Sequence, residues 1–196
     1  MSTTEAAIQR GRGRPRDPRK DALIREAAWR ILAEKGFEGL TFEAVAETAG
    51  CSRATLYRRF SSKVELVAAI LDETSRSVEP ELASDVPPRE ALIAHTTAAV
   101  AYLSGNRGQA VMRLGATTNS PELVDALLAH AENERNFYRR EFTRLEPNAS
   151  TVDVDFALHT LLGAVTYHVA MLQRPLSARR ICQLVDGSIG LLAEAP

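Results

Sequence analysis

The sequence predicts an all-α protein in which an N-terminal three-helix unit of helix-turn-helix type precedes a larger helical domain. Three observations carry that prediction. From residue 17 onward, apolar residues recur at the i, i+3, i+4, i+7 spacing of helices, in stripes that open at capping residues and close at Gly or Pro. Residues 41–63 read as two short helices about a tight turn. The last two stripes, from residue 152 on, carry more apolar surface than one small domain can cover.

At 196 residues with 45% hydrophobic content, the chain can bury one core or two small ones. The net charge of −1 is uninformative, but its distribution is not: residues 1–78 hold 14 Lys and Arg against 11 Asp and Glu, and residues 79–196 hold 10 against 14. A polyanionic partner would therefore be met by the N-terminal part. Cys51 and Cys182 stand in unrelated contexts without CxxC or Cys/His spacing. No disulfide framework, metal site or cofactor is expected, which suits a reducing cytoplasm. Residues 1–16 lack the apolar run of a signal peptide.

Residues 1–9 are small, polar and unpatterned, the composition of a disordered tail. Arg10-Gly11-Arg12-Gly13-Arg14-Pro15-Arg16 is a cationic ribbon thin enough to lie in a minor groove, and its core resembles an AT-hook, which puts Arg12 and Arg14 on A·T-rich DNA. The alternative is a solvated tail. Asp17 caps and Pro18 begins the first helix, whose inner face is Ile24, Ala27, Ala28, Ile31 and Leu32; Gly36 ends it.

Thr41 caps the second helix, with Phe42, Val45, Ala46 and Ala49 on one face, and Gly50 supplies the left-handed residue of a sharp turn. Ser52 caps a third helix in which Leu56, with Phe60 beyond it, faces inward. Arg53, Ala54, Thr55, Tyr57, Arg58 and Arg59 lie opposite. So short and basic a helix is not stable alone, because nucleation is costly and like charges repel. A major groove, with base edges at the helix N-terminus and phosphates around it, would supply what it lacks. Ser62-Lys63-Val64-Glu65 is a capping box that opens a fourth helix running to about Val78. Lys63, a cation in a first turn, opposes the helix dipole and suggests a phosphate contact.

The run Leu40-Thr41, Ala46, Ala49-Gly50, Ser52, Thr55-Leu56-Tyr57, Phe60, Ser62-Lys63 and Glu65-Leu66 resembles the DNA-binding domain of the TetR family of bacterial transcriptional regulators. In detail the resemblance covers roughly residues 18–75. Cys51, where a small aliphatic is usual, and Val64, where an acid is common, depart from the pattern; neither is expected to face DNA. The resemblance implies a homodimer built on the last two long helices, a small-molecule effector pocket in the C-terminal helices, and a double-stranded, (pseudo)palindromic operator.

Residues 79–88 are a linker by composition. Helices are expected over 89–104 and 106–116, divided by Gly105. A long one follows from Ser120-Pro121, with Val124, Leu127, Leu128, Ala131, Tyr138, Phe142 and Leu145 in its stripe. From Phe156 to Gln173 no charged residue occurs, close to the length of a membrane span, but His159, Thr160, Thr166 and His168 interrupt the run. A helix buried on all sides is expected instead. Ile181, Val185, Ser188 and Leu192 form the last stripe, and Leu161 and Ile181 are expected at a subunit interface.

The resulting organisation is a flexible basic arm (1–16), a helix-turn-helix DNA-binding domain (17–61), a connecting helix (62–79) and a helical effector-binding and dimerisation domain (80–196). Expected DNA contacts are Arg12, Arg14, Thr41, Ser52, Arg53, Ala54, Thr55, Tyr57, Arg58, Arg59 and Lys63. Effector contacts are sought among Tyr102, Met112, Tyr138, His159 and Tyr167. No nucleophile with its base, no carboxylate pair and no metal spacing points to an enzyme. The reading is a ligand-responsive regulator, most simply a repressor, with no membrane partner; the alternative is an architectural DNA-binding protein without an effector.

Overall fold

A computed structural model describes residues 17–77, 80–83 and 85–193. The described residues form nine helices and no strand: α1 (Pro18–Gly39), α2 (Phe42–Ala49), α3 (Arg53–Tyr57), α4 (Lys63–Ser77), α5 (Pro88–Ser104), α6 (Asn106–Thr117), α7 (Pro121–Leu145), α8 (Thr151–Thr166, continued by a π-helical turn over Tyr167–Met171) and α9 (Ala178–Ala193). Among them, no helix is long and apolar enough to cross a membrane.

The caps follow the local chemistry. The Asp17 side chain accepts from Arg19 N–H at α1, and Gly36, at φ 68° and ψ −172°, breaks the helix where glycine alone is unstrained, so that Phe37–Gly39 form a separate turn after a kink. The expected capping box at α4 is only half formed. Ser62 Oγ accepts from Glu65 N–H, but the Glu65 carboxylate turns back to Ser61, accepting from its N–H at 2.6 Å and its hydroxyl at 2.7 Å.

Two apolar cores result. The first unites the inner faces of α1 to α4, including Trp29, Leu40, Leu56, Leu66 and Ile70, with Ala110 and Leu114 of α6 and Leu123 of α7. Arg113 of α6 also donates to the Ala33 carbonyl of α1 at 3.1 Å, and Arg107 pairs with Glu26. The second core joins α5, α7, α8 and α9 around Tyr138, Phe142, Leu158, Leu161 and Val185.

Here the structure corrects three expectations. Helix α8 is not covered on all sides: Val152, Phe156, Tyr167 and Met171 form an exposed apolar stripe, with Phe156 62% and Met171 69% accessible. Leu161 and Ile181 lie on the opposite, inward faces and are buried within the subunit, so they are core residues rather than interface residues. In α7, Val124 and Leu128 are exposed while Leu123, Phe137, Tyr138 and Phe142 take the inner positions, because the helix rotates its wide apolar stripe toward α4 and α5.

The second core holds an unpaired imidazole. His95 is buried with neither ring nitrogen hydrogen-bonded, stacked on Phe137 at 4.0 Å and edge-on to Tyr138 at 4.8 Å. Burial, assisted by the Arg140 charge, lowers its pKa to about 4. Since the folded value lies below the unfolded one, the unfolded chain takes the proton first and stability falls as pH drops from about 6.5 toward 4. Urea titrations should show a loss of roughly 3 kcal/mol across that window. His95→Phe should remove most of it, and an unchanged profile in that variant would refute the assignment.

Candidate nucleic-acid interface and interior cavity

Helices α2 and α3 are held at a fixed angle by their connection. Gly50 adopts the left-handed conformation (φ 63°, ψ 38°), and the Cys51 N–H donates back to the Ala46 carbonyl at 2.9 Å. Thr41 Oγ1 accepts from Ala44 N–H at 3.2 Å and Ser52 Oγ accepts from Thr55 N–H at 3.3 Å, so both hydroxyls cap helices while remaining at the surface. Leu56, fully buried, is the apolar anchor of α3. Phe42 is buried beneath Tyr57, whose ring meets it edge-on at 4.9 Å yet stays 61% accessible.

The arginines divide into two kinds. Arg53 and Arg58 are exposed, as is Ala54. Arg53 Nη1 donates to Glu43 Oε1 at 2.8 Å, which holds the Glu43 carboxyl below its ordinary range and raises Arg53. Being solvated, that pair contributes little to stability and is readily exchanged for another acceptor. Arg59 is turned inward: its Nε donates to Asp21 Oδ1 at 2.6 Å, its Nη1 donates to the Thr55 carbonyl at 3.1 Å, and its side chain is only 14% accessible. It rivets α3 to α1 instead of lying on the open face. Lys63 is engaged as well, donating to the Phe37 carbonyl at 3.2 Å with its ammonium 4.1 Å from the Phe37 ring centroid, so a partner within the fold explains this first-turn cation. Thr55 is half-buried. Arg12 and Arg14 lie outside the described residues.

A cavity of about 540 Å³ opens among α5, α6, α7 and α8. Tyr102, Met112, His159 and Tyr167 line it; Tyr138 does not, being sealed in the core with its hydroxyl 3.3 Å from Thr96 Oγ1. Sequence reasoning missed His130, Glu134 and Arg135, which also line it and look like ordinary surface polar residues of a long helix. Tyr102 has a buried hydroxyl without a partner, and burial pushes its phenol upward. Burial likewise lifts the half-buried Glu134 carboxyl above its ordinary range. His130 Nδ1 lies 2.9 Å from the Leu71 carbonyl of α4; desolvation keeps the ring neutral, and a carbonyl partner requires the proton on Nδ1. Among the described residues no group of three or more His, Cys, Asp or Glu could hold a metal ion.

A helical protein with a capped hairpin presenting a basic helix, and a cavity one layer behind it, belongs to the helix-turn-helix class. Residues 24–70 match the family described as bacterial regulatory proteins, tetR family. The chain is similar to the uncharacterized HTH-type transcriptional regulator YdeS of Bacillus subtilis (32% identity over 109 residues, 55% of this chain and 54% of YdeS). It is also similar to the DNA-binding transcriptional repressor TetR of Mycobacteroides abscessus (28% over 183 residues, 85% of this chain and 90% of that protein). The match thus spans about half the length of YdeS. The fold is shared with the crystal structure of the transcriptional regulator FadR from Bacillus subtilis in complex with stearoyl-CoA (TM-score 0.70, 18% identity, covering 89% of this chain and 98% of that one). Residues 24–70 thus place the N-terminal unit in the TetR family of bacterial regulators.

The two kinds of arginine should separate in a stability assay. Removing one partner of the sheltered Arg59–Asp21 pair, as in Asp21→Ala, should cost roughly 1–3 kcal/mol in urea unfolding. Arg53→Ala, which breaks a solvated pair, should leave the unfolding midpoint unchanged. A midpoint shift for Arg53→Ala as large as that for Asp21→Ala would erase the distinction.

Proposed function

We propose that the chain is a homodimeric, sequence-specific DNA-binding transcriptional regulator whose operator affinity is changed by a small molecule held in the interior cavity. The observation that carries this reading is the open face of α3: Arg53, Ala54 and Tyr57, with Arg58 at the C-cap, are exposed to solvent on a helix of five residues that Leu56 and the Arg59–Asp21 pair fix in place. Arg53 leads that helix and exchanges Glu43 for a base edge, most simply guanine, while Tyr57 and Arg58 meet phosphate and set the register. Thr41 and Ser52, exposed caps, are within the same surface. Lys63 contacts phosphate only by leaving the Phe37 carbonyl. Repression is the mode of action that the M. abscessus relative supports.

The exposed α8 stripe of Val152, Phe156, Tyr167 and Met171 supports a second copy of the chain as its cover, since a patch of this kind is seldom left to water. Dimerisation would place two copies of α3 on half-sites of an inverted repeat about one helical turn apart. The effector reading rests on the cavity and on the His130–Leu71 hydrogen bond, which links its wall to the helix that carries the DNA-binding unit. The FadR structure, with stearoyl-CoA bound, gives that reading a precedent in the same fold.

Selection from a random duplex library should return inverted repeats, and Arg53→Ala should lose discrimination of order tenfold at one base pair per half-site. Return of sequences with no common repeat would favour an architectural binder. Phe156→Glu should keep the folded subunit but give monomers by sedimentation, with operator binding lost; a dimer unaffected by that change would move the interface elsewhere. His130→Phe should reduce the effector's influence on operator binding by a few-fold, the weight of one neutral hydrogen bond, without abolishing it.

A further inference from the structure

If α3 meets DNA, the reading on which this inference rests, the acid beside its leading residue meets DNA too. Glu43 lies in the first turn of α2, two positions after the Thr41 cap, and its Oε1 accepts from Arg53 Nη1 at 2.8 Å across the turn of the hairpin. Both side chains are open to solvent, Glu43 57% and Arg53 64% accessible. The helix dipole favours a carboxylate in a first turn, and the Arg53 hydrogen bond lowers its pKa, so it stays charged near neutral pH. A first-turn acid serves α2 wherever its side chain points. This one is held against the foremost guanidinium of the exposed helix.

A guanidinium has five N–H groups, and a guanine edge takes two of them, at O6 and N7. Others remain after that exchange, and Glu43, fixed on α2, can accept from one of them. The guanine edge is neutral and does not oppose the carboxylate. Phosphate differs: to capture Arg53 it brings a full negative charge within a guanidinium's width of Glu43, and like charges that close repel. Without the carboxylate, an exposed arginine at the front of the helix would settle on a phosphate, the acceptor that dominates non-specific binding. We infer that Glu43 is a specificity-determining residue of the DNA interface, which reserves the Arg53 guanidinium for a neutral base edge and withholds it from phosphate. It acts through Arg53 and is therefore a positioning residue. The competing account is a generic negative charge that weakens binding to all DNA alike.

Anisotropy titrations of the full-length protein against a selected operator and a scrambled duplex of the same length and composition separate the two. Glu43→Gln, close in shape and neutral, should tighten the scrambled duplex by about threefold per half-site, the weight of a solvated ion pair, and the operator by distinctly less. The dependence of scrambled-duplex affinity on salt should steepen by about 1 in log–log slope per half-site, as Arg53 joins the phosphate contacts. Glu43→Ala, which leaves the Thr41 cap in place, should act in the same direction. In an Arg53→Ala background, Glu43→Gln should leave the ratio of the two affinities unchanged, because the carboxylate then has nothing to withhold. Glu47→Gln removes the same charge one turn along α2, at an exposed residue that forms no pair with Arg53 among the described residues, and should shift both duplexes alike. Equal gains on both duplexes for Glu43→Gln, an equal loss of discrimination for Glu47→Gln, or a Glu43→Gln effect that persists without Arg53 overturns the inference. Failure of the wild type to distinguish operator from scrambled duplex overturns the regulator itself, whereas discrimination that survives Glu43→Gln overturns the role of Glu43 alone.

Discussion

The burial of α4 is the constraint on which the other elements depend. Leu66, Val67, Ile70 and Leu71 of that helix are essentially inaccessible, packed against α1 on one side and α7 on the other. Through α1 the helix fixes the floor on which the hairpin sits; through α7 it touches the cavity wall. The first core therefore does not end with α4. Ala110, Leu114 and Leu123 complete it from α6 and α7, so the DNA-binding unit and the domain behind it share a packed boundary instead of meeting through a loose linker. Close-packed interiors transmit displacement and do not absorb it. A change in the position of α7 must then be felt by α4.

The hairpin illustrates how a short helix is made to hold. Five residues of α3 cannot nucleate unaided, and two long-range features stand in for helix length. One is Leu56, whose burial anchors the helix from beneath; the other is Arg59, whose pair with Asp21 crosses 38 positions of sequence. With these fixed, Arg53, Tyr57 and Arg58 are free to remain in solvent. The exposed Arg53–Glu43 pair keeps the foremost guanidinium extended along the hairpin without committing much energy to that position.

Local chemistry made the N-terminal elements legible. Thr41, Gly50, Ser52 and the faces of α1 and α2 announce themselves through capping and periodicity, and the structure places each where those rules put it. What periodicity could not supply was the partner of a charged side chain. Arg59 and Lys63 look like free cations in sequence because Asp21 and the Phe37 carbonyl become neighbours only on folding. The same blindness explains α8. A helix with apolar residues all round leaves its rotation undetermined, so Leu161 is distinguished from Phe156 only by α7 and α9, which cover one side. In the cavity, aromatic residues within apolar stripes drew notice, whereas Glu134 and His130 passed as surface because spacing alone does not reveal a hollow.

Magnitudes limit what any one contact can do in coupling cavity to hairpin. A ligand shifts an equilibrium only by its difference in affinity for the two states. The His130–Leu71 hydrogen bond is a single neutral contact at 2.9 Å, worth about 1 kcal/mol net, or a factor of about five. Useful regulation corresponds to roughly 1–3 kcal/mol, so this bond alone would provide its lower end. The remainder must come from the apolar boundary of α4 and α7, where small displacements alter many contacts together. That boundary is bracketed by His130 on the cavity side and by Leu123 at the start of α7, which sits in the first core. A ligand that moves α7 near residue 130 thus works along the same helix that closes the core beneath the hairpin. In the proposed reading the hydrogen bond would give such a motion its point of attachment, and the packed face its energy.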